Sequence, residues 1–261
     1  RFVGNTNAFN QEPYRCEFQG SNHVIVSNVF YSAQQGPVEV YGDDNLIADN
    51  LIYSNEYGLY LEGRRNTVRG NRIGLMPDGI TPAPNAKHGL WIIGEDNTVG
   101  GTNNPNAYWR EGNVIAANDA GGILFGTNAR YNYADGNLIG LVADGTDSIA
   151  NLGHGVHVRD GYNQVGVLGG NTICGNQGDG IRFDGKASGW GYAIGNYIGI
   201  TRVGQTPLGN SGSGIAAVNQ ARYNHIGRTR TNGFNVIGGN GGDGVYIGPG
   251  CAGNTVAGNY I

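Results

Sequence analysis

The sequence predicts an all-β chain wound as a single-stranded right-handed parallel β-helix, a solenoid of about nine rungs with three short strands each. Three observations predict it. Glycine supplies 49 of 261 residues, against roughly 7% in average chains, and without a Gly-X-Y period. An Asn opens a short apolar unit of the form N-x-[I/V/F] at Asn28, Asn50, Asn71, Asn113, Asn137, Asn171, Asn196, Asn235 and Asn259. From this Asn to the next G-[L/I/V]-x-[apolar] unit the count takes only three values, the first being eight residues for Asn28 to Gly36 and Asn50 to Gly58. It is nine residues for Asn113 to Gly122, Asn171 to Gly180 and Asn235 to Gly244, and eighteen for Asn71 to Gly89, Asn137 to Gly155 and Asn196 to Gly214. Spacing this regular is architecture.

The elements follow in order around one rung. The first strand reads NHVIV at 22, NLIAD at 45, NTVRG at 66, NTVGG at 97, NQVGV at 163, NHIGR at 224 and NTVAG at 254, with weaker versions NYADGN at 132 and GYAIGN at 191. The second is the N-x-[I/V/F] unit, and the third is G-[L/I/V]-x-[apolar]. Each alternates apolar and polar positions over three to five residues, the period of a strand with one buried face. Gly and Asn between them supply the positive φ of tight turns. Rungs stacked at about 4.8 Å make a rod roughly 43 Å long. Stacked Asn side chains can satisfy turn amides up and down the ladder.

Rungs also alternate in type. One type carries a nine-residue extension after its second strand, GLMPDGITPAPN, GLVADGTDSIAN and GITRVGQTPLGN. The other carries an insertion before it, GGTNNPNAYWRE, then VLG, then RTRTNGF. The extensions are expected to form one stacked shelf holding Asp78, Asp144, Asn85, Asn151 and Asn210.

Composition narrows the function classes. A net charge of −4 with no basic run argues against nucleic acid as a partner. No apolar stretch approaches the length of a membrane span. Cys16, Cys174 and Cys251 form no CxxC and are odd in number, so neither a zinc site nor a full disulfide framework is expected, and Cys16 and Cys174 read as buried thiols. No cofactor or metal is expected.

The outward position of the third strand is the informative column. It reads Glu17, Glu39, Tyr60, Trp91, Leu124, His157, Arg182, Ala216, Tyr246, and the position after the strand reads Gln19, Tyr41, Glu62, Ile93, Gly126, Arg159, Asp184, Val218, Gly248. Two polar clusters result. His154, His157, Arg159, Asp160, Asp179, Arg182 and Asp184 gather on adjacent rungs, where cations beside carboxylates suit acid–base work on an acidic sugar. Glu17 and Glu39 lie one rung apart. Like charges in register must share a proton, bind a cation or splay into water, and a close carboxylate pair suits a retaining glycosidase. The bland alternative for both is a solvated face with cross-strand ion pairs. Between them Tyr41, Tyr60 and Trp91 offer rings for stacking on sugars.

The text GNxIGxxxDGTxxxxNxxxG followed by NxVGG and GNVIxxNxxxGIxF, running from about residue 20 to the end, resembles secreted bacterial β-helix repeat proteins of the pectate-lyase-like superfamily. The resemblance implies the fold. For function it implies polysaccharide lyases, hydrolases and epimerases, but equally adhesins, tailspikes and surface repeat proteins. GHG at 153–155 is similar to the GHG of polygalacturonase-type hydrolases, but neither the Asn-Thr-Asp nor the Arg-Ile-Lys of that family occurs, and Asp43-Asp44 lies about five rungs away. GGNGGDGVY, 238–246, fits a calcium nonapeptide without the tandem copies that such a site needs. Asp179 and Asp243 occupy a turn column that reads Tyr57, His88, Ala120 or Gly121, His154, Asp179, Ser213, Asp243, so GDG reads as a turn.

Asn259-Tyr260-Ile261 stops inside a second strand, and Arg1 is read as starting in the same register. The expectation is one β-helix domain over 1–261, as part of a longer chain or stacking end to end with other copies. The functional expectation is a secreted or cell-surface structural or adhesive rod with polysaccharide contacts. The alternative is a polysaccharide lyase or hydrolase working on the His157, Arg182 and Asp184 face.

Overall fold

The computed structural model describes residues 1–8, 16–31, 38–101, 111–202, 205–229 and 233–261. Its strands form three all-parallel sheets. The first has ten strands, from Phe2–Val3 to Thr255–Val256. The second has nine, from Thr6–Ala8 to Val236–Ile237. The third has nine, from Cys16–Gln19 to Val245–Ile247. In each sheet every third strand of the chain is the neighbour, so the backbone visits the three sheets in turn and climbs one rung per circuit. Nine full rungs and the start of a tenth result, as the spacing predicts. The register at the N-terminus differs from the sequence reading. Phe2 and Val3 pair with Ile25 and Val26 in the first sheet, and the ladder Asn of that rung is Asn5.

Strand alternation sends one face inward. Ile52, Ile73, Ile115, Ile139, Ile173, Ile198 and Ile237 form one buried column along the second sheet. Each such side chain contributes about 1.5–3 kcal/mol by leaving water. In the third sheet Phe125, Val158, Phe183 and Ala217 are successive partners, so large and small residues alternate up the core. Cys174 is buried as expected, and burial pushes its thiol up to about 12. Cys16 is only partly buried.

The Asn column is borne out, and it is one of three. Along the predicted ladder each amide donates to the next Oδ1, Asn71 to Asn113 at 2.9 Å and Asn113 to Asn137 at 2.9 Å. A second ladder climbs through Asn66, Asn97, Asn132 and Asn163 at the turn before the first sheet. A third runs through Asn85, Asn118, Asn151, Asn176, Asn210 and Asn240 at the turn before the third sheet. This corrects the expected shelf. Asn85, Asn151 and Asn210 are fully buried ladder members, because each terminal amide can satisfy two turn groups that would otherwise be orphaned.

The extensions are small antiparallel hairpins, with bridges Leu75 to Pro82, Leu141 to Ser148 and Ile200 to Pro207. Ala143 N–H donates to Gly79 O at 3.0 Å, so two of them stack. Asp78 and Asp144 sit there, accepting from Thr81 and Thr146 within their own turns. Residues 203–204 of the third extension lie outside the described residues. So do 102–110 and 230–232 of the insertions, and Gly36 of the spacing pattern.

Candidate functional site

The third sheet carries the outward column in the predicted register. Glu17 pairs with Glu39, Glu39 with Tyr60, Tyr60 with Trp91, Trp91 with Leu124, Leu124 with His157, and His157 with Arg182. The face is continuous, with an aromatic end and a polar end.

At the polar end, strand Ile181–Asp184 turns Arg182 and Asp184 outward beside His157 of strand Val156–Val158. Arg182 Nε donates to Asp184 Oδ2 at 3.1 Å, and its Nη1 donates to Asp179 Oδ2 at 3.0 Å. His157 Nε2 lies 3.2 Å from the same Asp184 Oδ2. Asn219, one rung on, donates to Asp184 Oδ1 at 2.7 Å. The rings of His154 and His157 meet edge to face at 5.1 Å. Burial, then the neighbouring His154, pushes the His157 imidazole down to about 4 against the opposing pull of Asp184. Burial also lowers His154. Burial alone would raise the Asp184 carboxyl, but the hydrogen bonds from Asn219 and Arg182 and the Arg182 charge hold it below its ordinary value. The imidazoles are therefore neutral at pH 7. With Nε2–H aimed at Asp184, His157 Nδ1 carries a lone pair and can accept a proton.

His154 has a structural task as well. Its Nδ1 accepts the Asp179 backbone N–H at 2.9 Å. His88 Nδ1 does the same for Gly121 N–H at 3.0 Å, and Asp179 Oδ1 for Ser213 N–H at 2.8 Å. The variable turn column thus conserves a function across residue types: an acceptor for the next rung's amide. The GHG glycines are also architectural. A Cβ on Gly155 would lie 2.4 Å from Ile173 Cγ2 and 2.7 Å from Gly180 O.

Two expected members behave differently. Arg159 is exposed and, among the described residues, has no carboxylate partner. Asp160 leaves the cluster. It is buried at the opposite edge of the third sheet, where it takes Arg130 Nε at 2.9 Å and Asn128 N–H at 2.8 Å. The strand ends at Val158, so alternation no longer fixes direction two residues later. Asn219 was missed because it follows its strand, Ile215–Val218, outside any repeated motif.

At the aromatic end, Tyr41 meets Tyr60 at 5.9 Å, Tyr60 meets Trp91 at 5.2 Å, and Trp91 meets Tyr57 at 5.1 Å between ring centroids. Lys87 Nζ sits 4.6 Å over the Tyr57 ring. Tyr60 Oη donates to Glu62 Oε2 at 3.1 Å, and burial followed by the Glu62 charge raises its phenol well above the ordinary value. Glu17 and Glu39 stand directly opposite each other below this patch. Glu39 is buried, and Glu17 accepts from Gln19. Glu39 is four rungs and Glu17 five rungs from His157, about 19 and 24 Å. The two polar sets are separate sites.

Among the described residues no group of His, Cys, Asp and Glu is arranged to hold a metal ion, and no helix is long and apolar enough to cross a membrane.

No protein-family model matches the chain, and no curated protein matches it. Among solved structures it is similar to a pectate lyase, at 13% identity and TM-score 0.48, covering 100% of this chain and 68% of that one. It is similar to the A-module of a mannuronan C-5 epimerase from Azotobacter vinelandii, at 13% identity and TM-score 0.41, covering 93% and 66%. An alginate lyase from a Paenibacillus species matches at 13% identity and TM-score 0.37, covering 94% and 87%. The three stacked parallel sheets, climbed one rung per circuit, make this chain a right-handed parallel β-helix.

Proposed function

We propose that the chain is a secreted or cell-surface β-helical rod that contacts polysaccharide through the aromatic end of its third sheet. One observation carries this reading: Tyr41, Tyr60 and Trp91 stand on three successive rungs with their rings in contact. Fixed rings at rung spacing present a π surface that the C–H faces of successive sugars can cover at little entropic cost. The polar end is largely satisfied by itself, since Arg182 is held by both Asp179 and Asp184. End-to-end contact between copies belongs to the same reading.

Affinity electrophoresis in gels cast with polygalacturonate, alginate or a neutral glucan tests the reading. At least one polysaccharide retards the native chain, and Tyr60→Ala with Trp91→Ala removes most of the retardation. Equal migration of both proteins in every gel contradicts it.

A second reading has its own observation. The neutral His157, oriented by Asp184 and paired across the sheet with Arg182, has the parts of a base beside a cation. Elimination from a uronate would need the cation on the sugar carboxylate and the base at the adjacent carbon. Ultraviolet absorbance from an unsaturated product, lost in His157→Gln, would establish this enzyme reading. No absorbance with any polyuronate leaves the rod.

A further inference from the structure

The turn that leads into the first sheet places one residue per rung in the left-handed backbone region, immediately before the ladder position. At the two ends of the rod small or polar residues fill it, Asn22 and Asp44 at one end and Gly253 at the other. On four successive rungs between them it holds Tyr131, Tyr162, Trp190 and Tyr223, with φ of 57°, 62°, 60° and 57°. Bulky residues are strained there, and Gly253 shows that the turn closes without a side chain. All four rings are exposed, by 40 to 49%. Strain kept on consecutive rungs to hold rings in water points to a use for the rings.

The rings are paired unevenly. Tyr131 stacks on Tyr162 at 4.9 Å, and Trp190 stacks on Tyr223 at 4.8 Å, each pair within 20° of parallel. No ring contact joins Tyr162 to Trp190, although they occupy adjacent rungs and Tyr162 N–H donates to Gly189 O at 3.0 Å. Each of these two rings therefore has one face covered by its stacking partner and the other turned toward the break. A concavity of about 320 Å³ opens at the break, bordered by Tyr162, Trp190, Tyr223, Arg130, Lys186 and Arg222. Asp160 also borders it but is neutralised by Arg130 at 2.9 Å. Lys186 and Arg222 pair with no carboxylate among the described residues, so the opening carries unspent positive charge on a chain of net charge −4.

We propose that this break is a second glycan site, which takes an anionic sugar ring against the free faces of Tyr162 and Trp190 while Arg222 and Lys186 meet its carboxylate or sulfate. Ring faces attract the C–H face of a pyranose, and the two cations select against neutral sugars. The inference rests on polysaccharide being the partner of the rod. It adds a site on a different edge, with a stated charge preference.

The test is a titration of the full chain with polygalacturonate, heparin and neutral dextran, read by tryptophan fluorescence and by affinity electrophoresis. Three variants are compared: Trp190→Gly, which keeps the left-handed turn, Arg222→Gln, and Tyr60→Ala with Trp91→Ala. Polygalacturonate or heparin binds and dextran does not; response to one and not the other identifies carboxylate or sulfate as the anion. Trp190→Gly and Arg222→Gln each weaken binding about tenfold. Lys186→Gln repeats the charge test should either variant melt early. Native affinity in Trp190→Gly and Arg222→Gln overturns the second site. If the Tyr60 and Trp91 variant alone loses binding, only the third-sheet contact stands. Absence of binding by the native chain to any polysaccharide overturns both.

Discussion

Asp184 Oδ2 receives both His157 Nε2, at 3.2 Å, and Arg182 Nε, at 3.1 Å. One carboxylate oxygen thus orients a neutral imidazole on the rung below and a guanidinium on its own. Folded His157 titrates near 4, whereas an unfolded histidine titrates near 6.5. The folded state binds this proton less readily, so the contribution of His157 is complete above about pH 6.5 and is lost as pH falls toward 4, by roughly 3 kcal/mol. Urea melts across this range show His157→Gln with a flatter acid limb than the native chain. An unchanged limb contradicts the buried neutral imidazole.

Asp135 gives the opposite slope. It is buried and accepts from Leu168 and Gly169 N–H, while its Oδ2 has no partner. Burial, against these hydrogen bonds, raises its carboxyl to about 6. Its neutral form is compatible with the fold, so stability is complete below about pH 4 and declines by roughly 3 kcal/mol as pH rises through 6. Asp135→Asn removes that decline in the same melts. With both groups present the two slopes oppose each other between pH 4 and 6, and each variant exposes the other's slope.

The Asn ladder is a stability claim about single side chains. Asn113 Oδ1 accepts from the backbone and side chain of Asn71, and its amide donates to Val68 O and Asn137 Oδ1. Asn113→Ala leaves Asn71 N–H buried without its partner, takes the side-chain donor from Val68 O, and costs about 1–3 kcal/mol. Asn113→Asp costs at least as much, since an oxygen replaces the donor facing two acceptors. Denaturant unfolding measures both. Losses under about 1 kcal/mol in each would show that the ladder is decorative.

His154 and Gly155 separate architecture from chemistry in the GHG motif. His154→Ala removes the acceptor of Asp179 N–H and costs about 1–3 kcal/mol. Gly155→Ala forces a Cβ into Ile173 and Gly180 and costs a comparable amount. Melting of the two variants at neutral pH checks this. Native stability in His154→Ala contradicts a structural role for the imidazole.

The third-sheet column was legible from Glu17 to Tyr246 because every G-[L/I/V]-x-[apolar] unit has the same length and the period of two fixes which residue faces out. What was not legible lies at turns. Asn85, Asn151 and Asn210 end extensions rather than opening apolar units, so their burial follows from the stacking of hairpins on the rod. Asp160 sits beyond its strand, where sequence neighbours such as Arg159 point elsewhere. His88, His154 and Asp179 share an acceptor role that residue identity hides. The Tyr131, Tyr162, Trp190, Tyr223 column was within reach: each residue immediately precedes the first-strand unit, at NYADGN, NQVGV, GYAIGN and NHIGR.

Isothermal titration of the native chain and of Trp91→Ala with the best-retarding polysaccharide decides whether the aromatic end of the third sheet binds polysaccharide. Saturable heat is expected with the native chain, and affinity about tenfold weaker in Trp91→Ala, with both proteins melting alike. Identical titrations of the two proteins would contradict binding there.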